Sequence, residues 1–214
     1  MSGFDWVLLD LEHGCESEAA IPSQLRALRG SRTQAIVRVG APHPELIARV
    51  LDWGAHGIMV PHVGSAGEAE QIVRAAYHPP RGNRGYSRTV RAFEYGLRPP
   101  GKGERGPLLL AQIETGEAVS RAAEIARVEG IDVLFVGPAD LQLDLETRPE
   151  SAPGDFASCL DLVLGAAKGA GKAAGILIRD LAGLQAHSDR GFTHIAVDSD
   201  IAILRKAYQK ILGR

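Results

Sequence analysis

Asp10, Glu12 and His13 follow directly on the apolar run Val7-Leu8-Leu9, and the same pattern recurs down the chain. Arg38 closes AIVR, His62 follows IMVP, Gln112 and Glu114 close LLLAQIE, Asp140 follows LFVGPA, and Asp198 follows HIAV. Such side chains are costly to bury unless they are paired, hydrogen-bonded or bound to a metal, so apolar runs that end in them have tips that are candidates for a site. Imidazole is the group whose ordinary pKa lies nearest working pH, which makes His13 the natural proton-transfer residue. Asp10, three residues earlier, is placed to hold its ring in one tautomer. Glu114 and Asp140, without a histidine pair or thiolates beside them, describe a hard-cation site for magnesium or manganese, with water and a chelating 2-oxo acid completing the shell. Arg38 then either faces a substrate oxygen on which charge develops or pairs with a strand-end acid. Glu12 bonds within the ring of acids or orients water.

What is missing narrows the chemistry. No lysine occupies a strand end, since Lys168 and Lys172 precede a strand and Lys102 lies in a loop, so a Schiff-base route lacks its nucleophile. No glycine-rich phosphate cradle follows the last two strands, where ILIRDLAG and AVDSDIA stand. His43, His56, His62, His78, His187 and His194 form no ligand spacing and read as structural or exposed, and Asp52 in RVLDWG reads as a surface residue.

The elements that must position these groups follow from hydrophobic period. Strands are expected at 5–11, 34–39, 57–61, 107–114, 132–137, 173–178 and 193–197, and amphipathic helices at 18–29, 43–53, 66–77, 116–128, 155–170, 180–190 and 200–212. Runs such as Ile58-Met59-Val60 and Val133-Leu134-Phe135-Val136 are apolar on both faces, as a parallel sheet covered by helices demands. With no GxGxxG after the first strand and polar groups at the C-terminal ends of many strands, the pattern predicts a (β/α)8 TIM-type barrel with seven strands readable. The whole of 1–214 is expected to form a single domain. The Gly/Pro/Arg-rich excursion 78–106 interrupts the alternation, and is either a solvated excursion, with some disorder near 99–106, or a substrate lid.

With 24 basic and 26 acidic residues the net charge is −2, so no global field attracts nucleic acid or an anionic membrane. No apolar run approaches the ~20 residues of a membrane span, and no basic n-region followed by an apolar h-region stands at the start of the sequence. Cys15 and Cys159 are far apart and read as reduced thiols. A soluble, cytoplasmic protein acting on a small polar metabolite is expected.

The stretches FDWVLLDLEHG, IVRVG, LLDWGAHGIMVPHV, YHPPRGNRGYSRTVRAFEYG, LLAQIET, VEGIDVLFVGPADL and GKAAGIL resemble the HpcH/HpaI aldolase family, the class II pyruvate aldolases, over almost the whole chain. The resemblance implies a divalent-metal-dependent retro-aldol cleavage of a 4-hydroxy-2-oxo acid into pyruvate and an aldehyde, and the reverse addition, with Mg²⁺, Mn²⁺ or Co²⁺ as cofactor. It implies Glu114 and Asp140 as metal ligands, Arg38 as the enolate-stabilising arginine, His13 with Asp10 as the acid/base pair, and Asp52 as a support of the site. Gln112 and the turn Gly137, Pro138, Ala139 and Asp140 match the part that holds pyruvate, with Glu12 beside it. Relatives carry a further βα unit before FDW, which accounts for seven readable strands, and they assemble as hexamers, trimers of dimers that exchange a C-terminal helix, here 200–212. Related enolate chemistry, of the citrate lyase, malyl-CoA or oxaloacetate decarboxylase type, and a non-catalytic barrel remnant are the alternatives.

Overall fold

A computed structural model describes residues 3–98 and 106–213; the rest of the excursion, 99–105 with Lys102, lies outside the described residues. Seven strands, β1 (Trp6–Asp10), β2 (Gln34–Arg38), β3 (Gly57–Val60), β4 (Leu108–Ile113), β5 (Val133–Val136), β6 (Ala173–Ile178) and β7 (His194–Val197), form one parallel sheet in chain order. Helices return the chain between them: α1 (Ile21–Ala27), α2 (Pro44–Asp52), α3 (Ala66–Ala76), α4 (Gly116–Ser120), α5 (Ala122–Arg127), α6 (Pro138–Thr147), α7 (Phe156–Gly169) and α8 (Leu184–Arg190), with α9 (Asp200–Ile211) last.

The sheet is curled. Trp6 of β1 and Phe135 of β5 meet edge to face with ring centroids 6.4 Å apart, whereas four strand spacings in a flat sheet would separate them by about 19 Å. The curl divides the apolar residues into two sets. Val37, Ile58, Leu109, Leu134 and Ile176 face the helices and pack on Ile47, Ile72, Ile125 and Val163. Ile36, Met59, Leu110, Val133 and Phe135, with Trp6, Leu8, Leu177 and Ala196 against them, fill the inside. Because side chains alternate along a strand, the inner set fixes which later residues face the axis at the mouth. Continuing each strand by two residues puts Asp10, Arg38, Gln112, Gly137, Arg179 and Asp198 there, and Glu114 one step further.

Two features differ from the sequence pattern. The segment 138–147 is a helix that the apolar period hides, since Leu141, Leu143 and Leu145 alternate in a strand-like way; only Leu141 is fully buried and Leu143 is exposed. The expected helix 116–128 breaks at Arg121 into α4 and α5.

Residues 78–98 of the excursion follow the end of α3, at the N-terminal face of the sheet and opposite the strand tips. Their contacts agree: Arg91 donates to the carbonyls of Trp53 (2.5 Å) and Leu25 (3.3 Å) near the C-terminal ends of α2 and α1. These described residues stand away from their own chain's mouth.

Candidate active site

At the tip of β1 the chain bends sharply over residues 11–15. The Asp10 carboxylate accepts the backbone N–H of Glu12 (3.0 Å) and of His13 (3.3 Å), closing an Asx-type turn. A Cβ on Gly14 would stand 2.1 Å from the Asp10 carbonyl oxygen, so only glycine allows the turn to fold back this tightly.

Across the strand, Arg38 is paired with Asp10 in the β1–β2 register. Its Nε donates to Asp10 Oδ1 (2.8 Å) and its Nη2 to Asp10 Oδ2 (2.5 Å), while Nη1 lies 2.9 Å from Glu12 Oε2. Burial alone would raise the Asp10 pKa, but the guanidinium and the two backbone donors outweigh it and hold the carboxyl below its ordinary value. The same carboxylates, with Glu114, outweigh the burial of Arg38 and raise its pKa further, so its charge is permanent.

The structure brings Asp10 onto Arg38 and onto the His13 backbone N–H rather than onto the His13 ring. Both oxygens of Asp10 are held by Arg38, because a forked guanidinium matches a carboxylate better than a single imidazole contact does. The His13 ring is 67% exposed and stands 3.9 Å from Glu12 Oε2, making Glu12 its nearest acidic neighbour.

Glu114 lies one residue beyond β4 and its side chain is only 2% exposed. Gln112 Nε2 donates to its Oε1 (2.6 Å) and the His62 N–H to its Oε2 (2.8 Å). Burial, then the charges of Asp140 and Glu12, push its pKa up against the His62 contacts. Asp140, half-buried in the first turn of α6, follows the helix N-cap Gly137. A Cβ on Gly137 would stand 2.4 Å from Glu114 Oε1, so the backbone at the start of α6 is moulded directly onto this carboxylate.

These residues fit a divalent cation. A nearly buried carboxylate facing other carboxylates is unfavourable until a positive charge joins it, and an all-oxygen set suits a hard ion. Among the described residues no three of His, Cys, Asp and Glu gather closely enough to hold an ion alone. Glu114 and Asp140 would thus share it with water and substrate oxygens, as magnesium usually requires.

His62 is the residue that sequence reasoning set aside. Its Nδ1 lies 3.2 Å from Glu114 Oε2 and its Nε2 3.4 Å from Glu12 Oε1, so it bridges the tips of β4 and β1. Met59 points inward, and strict alternation would send residue 62 outward; a left-handed backbone at His62 (φ 54°) turns it back towards the axis. Two residues lie elsewhere. Asp52 ends α2, five residues before β3 begins and hence at the opposite face, where it pairs with Arg84 Nη2 at 2.5 Å. Asp198 pairs with Arg179 and Lys206 at the tips of β6 and β7.

Comparison with known proteins bears on this geometry. The family model for HpcH/HpaI aldolase/citrate lyase matches residues 1–207. A hydroxypyruvate/pyruvate aldolase of Paraburkholderia phytofirmans is 35% identical, with 99% of this chain and 84% of that protein covered. Among solved structures, an HpcH/HpaI aldolase/citrate lyase family protein from Burkholderia cenocepacia superposes with a TM-score of 0.89 at 32% identity, over 99% of this chain and 85% of that one. A citrate lyase beta subunit from M. tuberculosis, complexed with oxaloacetate and magnesium, superposes with a TM-score of 0.56 at 26% identity, over 96% of this chain and 87% of that one.

Proposed function

The chain belongs to the HpcH/HpaI aldolase/citrate lyase family, and from that premise we propose a divalent-metal-dependent aldolase that joins or separates pyruvate and an aldehyde. The observation that carries the metal is Glu114, nearly buried and hemmed in by the negative charges of Asp140 and Glu12. A bound Mg²⁺ or Mn²⁺ would polarise the 2-oxo group of the substrate as a Lewis acid. The magnesium and oxaloacetate of the citrate lyase subunit support this, since oxaloacetate is itself a 2-oxo acid.

The protein's own groups supply the rest. The backbone N–H groups of Ala139 and Asp140 open α6 and suit the pyruvate carboxylate, because a helix start presents unpaired donors and a positive dipole end. Gln112 orients Glu114. Arg38, fixed on two sides by Asp10 and Glu12, faces the mouth where negative charge develops on the substrate oxygen as the C3–C4 bond breaks. His13, exposed beside Glu12, takes the proton of the 4-hydroxyl in cleavage and returns it in synthesis. Asp52 does not touch these groups within one chain, so a role for it requires an assembly such as the hexamer of its family, which we likewise propose, along with a cytoplasmic setting. Among the described residues no helix is long and apolar enough to cross a membrane.

The test is carbon–carbon bond formation from pyruvate and a panel of aldehydes, with Mn²⁺ or Mg²⁺ and with chelator. Metal-dependent turnover is expected, and Arg38→Ala should lower it by at least a hundredfold, the scale of losing an oxyanion donor. Full activity in chelator, or in that variant, would overturn the assignment.

A further inference from the structure

The two carboxylates of the cation site are held in different ways. Glu114 stands at a strand tip and is aimed by contacts of its own, the Gln112 side chain and the His62 backbone N–H. Asp140 rides on the first turn of α6, so its aim is that of the helix. The seating of α6 is unusual: of its ten residues only Leu141 and Asp144 are buried, while Leu143 between them is 59% exposed. A helix seated by apolar packing alone would bury the leucine and expose the aspartate.

We propose that Asp144 is a positioning residue, which locks α6 onto the tip of β4 and so sets Asp140 against Glu114 for the metal. Its side chain is 4% exposed, and its Oδ2 accepts the N–H of Gly116 at 2.8 Å, two residues beyond Glu114. Its Oδ1 is paired with Arg148, one turn further along, whose own side chain is 62% exposed. Gly116 is enclosed from another side as well, since a Cβ there would stand 2.8 Å from the Ser151 carbonyl oxygen and 3.0 Å from Ala152 Cα. At the opposite end of α6, the N–H of its N-cap Gly137 donates to the Ile113 carbonyl at 3.4 Å. The helix therefore meets the β4 tip at two points, one on each side of Glu114, and Asp140 lies between them.

Two attachments define a direction where one would leave a pivot. Asp140 is three residues beyond Gly137, about 4.5 Å along the axis, so a tilt of about 10° about that end moves it by about 0.8 Å. Magnesium holds its oxygens at about 2.0–2.1 Å in a near-ideal octahedron, and an error of that size spoils the site. The cost of Asp144 points the same way. A leucine in its place would fill the space without desolvating a charge, but it would offer the Gly116 N–H no acceptor.

This inference rests on the metal-dependent reading, and one experiment separates the two. Calorimetric titration with Mn²⁺ alone is compared for the wild type, Asp144→Asn, Asp144→Glu, Asp144→Ala and Leu143→Ala, with urea unfolding of each metal-free protein alongside. Asparagine keeps an oxygen for the Gly116 N–H and loses the charge, whereas glutamate keeps the charge and moves the oxygens outward by one methylene. Asp144→Asn should bind Mn²⁺ within about threefold of the wild type. Asp144→Glu and Asp144→Ala should bind at least about tenfold more weakly, the usual effect of losing a group that orients a metal ligand. Leu143→Ala, on the exposed side of the same helix, should bind as the wild type does. If Asp144→Ala does not fold, the Asn and Glu variants carry the comparison. Wild-type affinity in Asp144→Glu, with only the metal-free stability altered, makes Asp144 a structural anchor and overturns the proposal while leaving the metal site standing. An Asn variant weaker than the Glu variant also overturns it, by assigning the effect to charge. A wild type that binds no Mn²⁺ overturns the metal reading itself, and this inference with it.

Discussion

Replacing Asp10 with Asn isolates the clamp on Arg38, because asparagine keeps an Oδ1 for the N–H groups of Glu12 and His13 but loses the charge and turns an amide donor towards the guanidinium. Breaking one side of a fully buried pair costs about 3–5 kcal/mol, and an exposed pair is worth about 1 kcal/mol or less. Here the side chains are 15% and 26% exposed, and Arg38 keeps Glu12 at 2.9 Å, which places the loss near 2 kcal/mol. For a chain of this length that is a fall of about 4–8 °C in Tm. The pH dependence has a fixed sign. The Asp10 pKa is lowered in the folded protein, so its stabilisation is complete above the ordinary aspartate value of about 4 and is lost as pH falls through the folded value. Denaturant unfolding of both proteins between pH 8 and pH 3 should therefore show a constant gap at neutral pH that closes below about pH 4. No gap at pH 7, or a gap that widens in acid, refutes the reasoning.

Three further outcomes follow from single contacts. Removing the His62 ring, as Ala or as Gly, should weaken Mn²⁺ binding about tenfold by calorimetry, the usual effect of losing a group that orients a metal ligand; the Gly variant should be the more stable of the two by about 1 kcal/mol because φ is 54°. Gly137→Ala forces a Cβ to within 2.4 Å of Glu114 Oε1, so it should cost about 1–3 kcal/mol on chemical denaturation and abolish metal binding. A thiol reagent should label Cys15 at once and Cys159 only on unfolding, since the first is exposed and the second is buried with its pKa raised by that burial.

The strands and most of the site were legible because they depend on the shortest-range rules. Apolar runs broken by Asp10, Arg38 and Gln112 announce both a buried strand and its tip, and alternation then sets the facing. What was not legible depends on backbone exceptions or on direction of travel. His62 was set aside because a left-handed residue reverses the alternation that would have exposed it, and no residue type in PHV signals that. Helix α6 was hidden by the alternating Leu141, Leu143 and Leu145, although Pro138 after Gly137 is a helix-start signal. The excursion 78–106 left a solvated loop and a lid both open because its composition suits either. Only the place of residues 78–98 after the end of a helix shows which face they occupy.

The charges at the mouth bind these observations into one argument. Asp10, Glu12, Glu114 and Asp140 converge there, and within reach of them the fold supplies one permanent cation, Arg38, and two imidazoles, His13 and His62. A sequence selected for stability alone would not bury Glu114 among like charges, nor hold His62 in a left-handed conformation costing about 1–3 kcal/mol to point it at that acid. Both costs concern the same carboxylate, and both would be offset by the divalent ion proposed to bind there. The arginine escapes this logic because Asp10 and Glu12 satisfy it without the ion. It is consequently in place before substrate arrives, and a donor that needs no rearrangement is the kind that stabilises developing charge most effectively.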